Sequence, residues 1–569
     1  MQPTTPFRIG VESTLPGQDD WFATIYGCWF GKYFSEASLG MALQEVGAQF
    51  TLFYDSLAPR KPNACQRITE MCQRLQLPFL FNNTYGDIYG PWLPGTGRAT
   101  YSAEQLEQAS ASGLFRGVIW DEVEHRQLHG VDTGQQPYFF NARGLSPVEC
   151  YDKMVQVVSE IVSGYAAHGA ASVAEMVFPV LMHELARAGM HPAPKVLKES
   201  FNPLMLAIGM GAAQQYQREL WAVADLWGVI PFWGSLFNGP WEGAPGHSPD
   251  EYLSTLLLCY WLGLDAIYTE GLYNLIVPVH TTEDEWRDLY EHPIRHRGGE
   301  NPLVMNYRKK GYVLTAYGKM HRWFSREYVP SHARPYTFRD IRPEVAVVCL
   351  PDSTWARRGG SHWASGAELF GPGGPAKEAR HEALLDVVHV LTHGVVPREG
   401  LTMHNEPFST RSRAVAAQVE AANDPAEYPY DDFHTGFCPL NGVVFYDHRV
   451  SLELLRGIPL IICTGEILEG ATQQAVRECV RAGARCLALS HLLPEVAGSP
   501  EQEGALHIAE GAGEYLFTND MNSTVAREFI YPHLGTADEV HYRFGDYDIK
   551  LKPIEGDESR LSVKLEQPG

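Results

Sequence analysis

Three short apolar runs in this chain end on carboxylates: "VIWDEVEH" carries Asp121 and Glu122, "VLKESFN" carries Glu199, and "LGLDAIYTEGLYNL" carries Glu270. An apolar run of strand length bounded by glycines reads as a strand buried on both faces, as in parallel sheets covered by helices. An ionisable group at the carboxyl end of such a strand calls for a use. Two carboxyls facing one another supply a protonated acid for a leaving oxygen and an ionised nucleophile or base, the pair that glycosidic bond cleavage needs. Side chains alternate along a strand, so Val118, Trp120 and Glu122 are expected on one face, and Ala266, Tyr268 and Glu270 on another. Both series would then point to a common axis with an aromatic beneath each acid. Glu199 is expected to support or bind rather than attack; Lys195 and Lys198 lie near it in sequence, Lys198 on the opposite face.

A sugar site also needs flat apolar faces for C–H surfaces and amides for hydroxyls. Trp120, Trp233, Trp241 and Tyr273, with Asn82, Asn83 and Asn202, are the expected binding residues; Trp92, Asn238 and Asn274 lie in similar places. His125 and His129 follow "DEVEH", but no H-E-x-x-H occurs and "MHELARAGMH" has the wrong spacing, so no metal is expected. "GMGAAQ" is too short for a dinucleotide fingerprint and no P-loop is present, so no cofactor is expected. The ten cysteines form no C-x-x-C pair, and most read as buried small hydrophobes.

The elements that must position these residues alternate. Strand patterns occur at 7–13, 48–55, 77–83, 116–122, 194–200, 228–234 and 264–270, with helical patterns at 35–47, 63–76, 102–113, 146–169 and 248–263. "SPVE" and "SPDE" give Ser N-caps followed by Pro and an acid. Repeated β/α units of this size predict a (β/α)8 TIM barrel over residues 1–335, with its site at the carboxyl ends of the strands. Glu270 would close strand 7, and the eighth strand would lie in 300–307 or be an atypical closing element. The pattern restarts at 343–356 and continues through strands at 441–449, 458–466 and 484–490, which predicts a smaller α/β domain over 336–510. The alternating tail predicts a C-terminal β module over 511–569.

A formal net charge of −23 on 569 residues, without basic clusters, argues against nucleic acid and anionic membrane surfaces as partners. An apolar fraction of 45% with 20% charged residues fits a globular chain. No run approaches the ~20 apolar residues of a membrane span, and "MQPTTPFRIGVEST" lacks a leader pattern. A cytoplasmic protein is expected, or a secreted one if a leader was removed.

On "VIWDE" and "AIYTE" the chain resembles the clan A glycoside hydrolases, in which the acid/base glutamate closes strand 4 and the nucleophile closes strand 7. The resemblance implies Glu122 as acid/base, Glu270 as nucleophile and retention of anomeric configuration. That clan has Asn before the strand 4 acid where this chain has Asp121, which leaves the donor open among Asp121, Glu122 and Glu124. The segments "EVAVVCLPDSTWA" and "GIPLIICTGEILEGATQQAVRECVRAGARCLAL" resemble the amidotransferase-like, flavodoxin-like domain after the barrel of family 42 β-galactosidases. That likeness implies a homo-oligomer and a second domain without catalysis of its own; Cys463, before Thr464 and Gly465, has no preceding Gly and no His–Glu pair to complete a nucleophile elbow, so it reads as a core or inert cysteine. A carbohydrate substrate follows. A polysaccharide lyase, with Tyr273 or His125 as base, and a non-catalytic carbohydrate-binding or assembly protein are the alternatives.

Overall fold

The computed structural model describes residues 7–13, 15, 36–53, 63–82, 101–124, 140, 142–177, 179–197, 202–226, 249–278, 312–314, 316–350, 383–396, 438–498, 504–554 and 557–567. Eight parallel strands close a barrel: β1 Arg8–Ser13, β2 Phe50–Phe53, β3 Phe79–Asn82, β4 Phe115–Trp120, β5 Ala171–Met176, β6 His191–Val196, β7 Trp221–Asp225 and β8 Ala266–Glu270. β8 pairs with β1 and completes the ring, and a two-stranded antiparallel ribbon follows, β9 Ile276–Pro278 with β10 Tyr312–Leu314. Outside it run α1 Glu36–Val46, α2 Ala64–Leu75, α3 Ala103–Ala111, α4 Pro147–Ala166, α5 Met182–Arg187, α6 Asn202–Gln215 and α7 Pro249–Trp261. Ser102 and Ser146 start α3 and α4 with reciprocal capping boxes.

The strand count differs from the expectation. β5 and β7 were not anticipated, because "ASVAEM" and "WAVAD" are short and alanine-rich and lack the β-branched runs that mark a strand. Glu270 therefore closes the eighth strand, and the seventh ends on Asp225. No further strand is needed at 300–307, which lies outside the described residues, as does 228–234.

The barrel interior is a separate apolar cluster that includes Phe50, Leu52, Leu80, Ile119, Val173, Ala193, Val223 and Tyr268. Alternation puts the residue two further along on the same side, one layer nearer the carboxyl ends. That layer holds Asn82, Asp121, Glu175, Lys195, Asp225 and Glu270. β4 reaches this parity through a bulge: Phe79 pairs with Phe115 but Leu80 pairs with Gly117, so Arg116 is extra. Gly117 has φ +137° and lies so close to β5 that a Cβ would fall 2.1 Å from the Ala171 carbonyl oxygen. The shift turns Ile119 inward and Trp120 outward.

Residues 345–517 contribute a six-stranded sheet in the order β13-β11-β14-β15-β17-β16, with β11 Val345–Cys349, β13 Val443–Asp447, β14 Leu460–Thr464, β15 Arg485–Ala488, β16 Leu506–Glu510 and β17 Gly513–Phe517. The first five are parallel and β16 is antiparallel to β17. β17, expected in the C-terminal module from residue 511, belongs to this sheet because it pairs with β15. The tail forms a sheet of β12 Leu440–Asn441, β18 Val540–Phe544, β19 Tyr547–Ile554 and β20 Asp557–Glu566. Among the described residues no helix is long and apolar enough to cross a membrane.

The edge strand β13 packs against α6. Gly211 permits it: a Cβ there would sit 1.6 Å from the Phe445 carbonyl oxygen. His183 Nε2 lies 2.9 Å from the same oxygen, Tyr446 donates to Gln214 at 2.6 Å, and Asp447 accepts from Gln215 at 2.5 Å and from Tyr216. Arg187 and Arg449 reach Asp152 from the two sides at 2.7 and 2.9 Å.

Candidate active site

Lys195 stands at the centre of the carboxyl-end layer. Its Nζ is 2.7 Å from Glu175 Oε1, 2.8 Å from Glu270 Oε2, 3.0 Å from Glu122 Oε1, 3.2 Å from Asp225 Oδ2 and 3.9 Å from Asp121 Oδ1. β6 lies between β5 and β7, so a four-carbon stem rising from it can reach carboxyls on both sides and across the mouth. Glu12 of β1 is buried in the same region, with Asn82 donating to it at 3.3 Å. Tyr268, one layer below Glu270, donates to Glu175.

Among the described residues, six acids surround one ammonium, and they cannot all be ionised away from water, because each uncompensated buried charge is costly. Burial foremost, then the charges of Glu270 and Asp121, pushes the Glu12 carboxyl well above the usual range. Burial likewise pushes Glu175 well up against the pull of Lys195, with help from Asp121. Burial opposes the charge on Lys195, yet Asp225, Glu122, Glu175 and Glu270 together raise its pKa well above that of a free lysine. The amine is therefore held as ammonium, and the mouth retains protons on part of its carboxyls.

Glu122 arrives differently from its neighbours. Asp121 continues the inward face of β4, whereas Glu122 takes a left-handed backbone, φ +49°, that turns its side chain to Lys195. A non-glycine residue there carries strain of about 1–3 kcal/mol, of a kind that clusters at functional sites. Glu270 keeps the largest exposure of the acids around Lys195, with 18% of its side chain accessible against 8% for Glu122 and 1% for Asp225. Its backbone oxygen accepts from the Asn274 amide at 3.1 Å.

The expected site residues divide into groups. Glu122, Asp121, Glu270 and Asn82 come together at the mouth. Trp120 does not: it is fully buried behind the barrel wall, edge-on to Tyr165 of α4 at 5.1 Å, because the β4 bulge reverses its side. Its expected sugar-binding role is corrected accordingly. Glu124 is fully buried and accepts from the Val177 amide, so it fixes the loop after β5. Asn202 begins α6 and Tyr273 lies in the helix Leu272–Leu275, but their side chains are outside the described residues, as are Glu199, Asn83, Trp233, Trp241, His125 and His129. Glu12, Glu175, Lys195 and Asp225 were not singled out from the sequence. Each sits at or near the end of its strand, which is the signal that could have found them.

Asp121, Glu122 and Glu175 offer oxygens within 4.8 Å of one another, close enough to bridge a cation. The protein's own ammonium already stands among them, 2.7 Å from Glu175 and 3.0 Å from Glu122, so the set does not fit a metal ion with Lys195 in place.

No family model and no curated protein matches the chain. Among solved structures it is similar to a β-galactosidase from Rahnella sp. R3, with TM-score 0.50 and 9% identity over 100% of this chain and 99% of that one. An exo-β-1,4-mannosidase from Opitutaceae bacterium strain TAV5 gives TM-score 0.38 and 11% identity over 95% of this chain and 100% of that one. A D-psicose 3-epimerase from Clostridium cellulolyticum H10 gives 0.31 and 9%, over 57% and 99%. At this identity the first likeness bears on the fold alone, a barrel followed by further α/β and β sheets.

Proposed function

We propose that the chain is a glycoside hydrolase that cleaves an oligo- or polysaccharide through Glu270 and Glu122 with retention. The observation that carries this reading is the sharing of one ammonium by the two carboxyls. Glu122 Oε1 and Glu270 Oε2 lie 3.0 and 2.8 Å from Lys195 Nζ, so they are less than about 6 Å apart, in keeping with the ~5–5.5 Å of retaining enzymes and short of the ~6.5–9.5 Å of inverting ones. Glu270, the most accessible acid around Lys195, attacks the anomeric carbon. Glu122, beside the proton-retaining Glu175, protonates the leaving oxygen and later takes a proton from water. Because Glu270 closes β8, this assignment rests on geometry and not on the strand numbering of clan A.

A lyase needs a basic pocket to neutralise a uronate; among the described residues of the mouth, one cation faces six acids, which favours hydrolysis. We take the six-stranded sheet as an amidotransferase-like domain without catalysis of its own, supported by its five parallel strands and by Cys463, fully buried beside Cys486. Assembly as a homo-oligomer belongs to the same proposal. The test is a panel of aryl glycosides and polysaccharides, read both as reducing sugar and as unsaturated uronate. A hydrolysed glycoside supports the reading, while unsaturated product or silence across the panel overturns it.

A further inference from the structure

An ammonium has three N–H donors, and Lys195 faces five carboxyls within 3.9 Å. Two of them, Glu270 at 2.8 Å and Glu122 at 3.0 Å, are the pair to which the proposed reaction assigns opposite protonation states. In the first half of a retaining cycle the Glu270 oxygen bonds to the anomeric carbon, the bond from that carbon to the leaving oxygen breaks, and the Glu122 proton passes to the leaving oxygen. Before this step the negative charge is on Glu270 and Glu122 is neutral. After it Glu270 is an uncharged ester and Glu122 carries the charge. In the second half water attacks the anomeric carbon, gives its proton to Glu122, and the bond to Glu270 breaks, so the charge returns.

We propose, resting on that reading, that Lys195 is the positioning residue of the cycle, a fixed cation placed between the two sites among which the negative charge alternates. It stabilises the anion in both halves without moving. A preorganised charge in a water-poor site costs no reorganisation at the moment of reaction, and this is where electrostatic catalysis is strongest. Rigidity comes from the surroundings: Glu175, Asp225 and Asp121 hold the ammonium from β5, β7 and the end of β4, Tyr268 of β8 holds Glu175, and Glu12 faces the group from β1. Lys195 is itself fully enclosed and acts only through Glu122 and Glu270.

The experiment compares pH–rate profiles of wild type, Lys195→Met and Lys195→Arg on a hydrolysed aryl glycoside. It is paired with infrared titration of the protonated-carboxyl C=O band of each protein without substrate. Removing the cation should lower kcat by at least ~100-fold and move both limbs of the profile to higher pH together, since both carboxyls lose the charge that favours their anions. Arg should restore the limbs while kcat stays reduced. A residue that merely held the fold would leave the limbs in place. Unmoved limbs and an unmoved infrared titration in Lys195→Met overturn the inference while the hydrolase reading stands. A silent wild type overturns that reading, and the infrared titration still decides whether Lys195 sets carboxyl protonation. Should Lys195→Met fail to fold, Lys195→Met/Glu175→Gln removes one acid with the cation and serves the same comparison. If neither folds, Lys195→Arg decides: limbs displaced as removal of the charge predicts would overturn the inference.

Discussion

Trp120 packs edge-on against Tyr165, ring centroids 5.1 Å apart, on the helix side of the barrel wall, while Ile119 beside it fills the barrel interior. Trp120→Ala should therefore cost about 3–5 kcal/mol of stability and leave KM for a hydrolysed glycoside within about twofold. Denaturant midpoints and steady-state kinetics on the variant check both parts. A large rise in KM at unchanged stability would return Trp120 to the sugar site.

The contact between the barrel and the six-stranded sheet depends on Gly211, where a side chain would meet the Phe445 carbonyl. Gly211→Val should force α6 and β13 apart at a cost of about 1–3 kcal/mol or more and split thermal unfolding into two transitions. Calorimetry of the variant decides; a single unshifted transition would show that this helix–strand approach is not what joins the two parts.

Beside that contact, burial pushes Glu184 up to about 8, aided by Asp447, and pushes His448 down to about 4. A raised acid contributes stability that is complete below the unfolded pKa, near 4.5, and is lost as pH rises toward about 8. A depressed histidine does the reverse: its contribution is complete above 6.5 and is lost as pH falls toward about 4. Glu184→Gln removes only the first dependence. The unfolding free energy of Glu184→Gln relative to wild type, read from denaturant melts, should thus climb between pH 5 and 8 at up to roughly 1.4 kcal/mol per pH unit. A difference flat across that range contradicts the buried neutral Glu184.

Much of this architecture is legible in the sequence, because apolar runs alternating with capped amphipathic segments leave few solutions besides a parallel barrel followed by a parallel sheet. Glu122, Asp121 and Glu270 were visible for the same reason, as acids at the ends of apolar runs. What was hidden follows from local chemistry. "ASVAEM" and "WAVAD" are alanine-rich, so Glu175 and Asp225 were lost with their strands, and Glu270 was numbered one strand early. The bulge at Arg116 reverses parity in a way that periodicity cannot show, which misplaced Trp120. In the sequence Lys195 is only a neighbour of Glu199, since nothing local says that a lysine in an apolar strand will find five carboxyls supplied by β4, β5, β7 and β8.

On the proposal made above, Glu270 and Glu122 work as nucleophile and acid/base around one fixed cation. The most direct measurement is hydrolysis of an aryl glycoside by wild type and Glu270→Gln, with the first-formed anomer identified by proton NMR. A product of retained configuration from wild type and a loss of at least ~1,000-fold in kcat for the variant are expected. An inverted product, or a variant that keeps more than a few per cent of the activity, would contradict it.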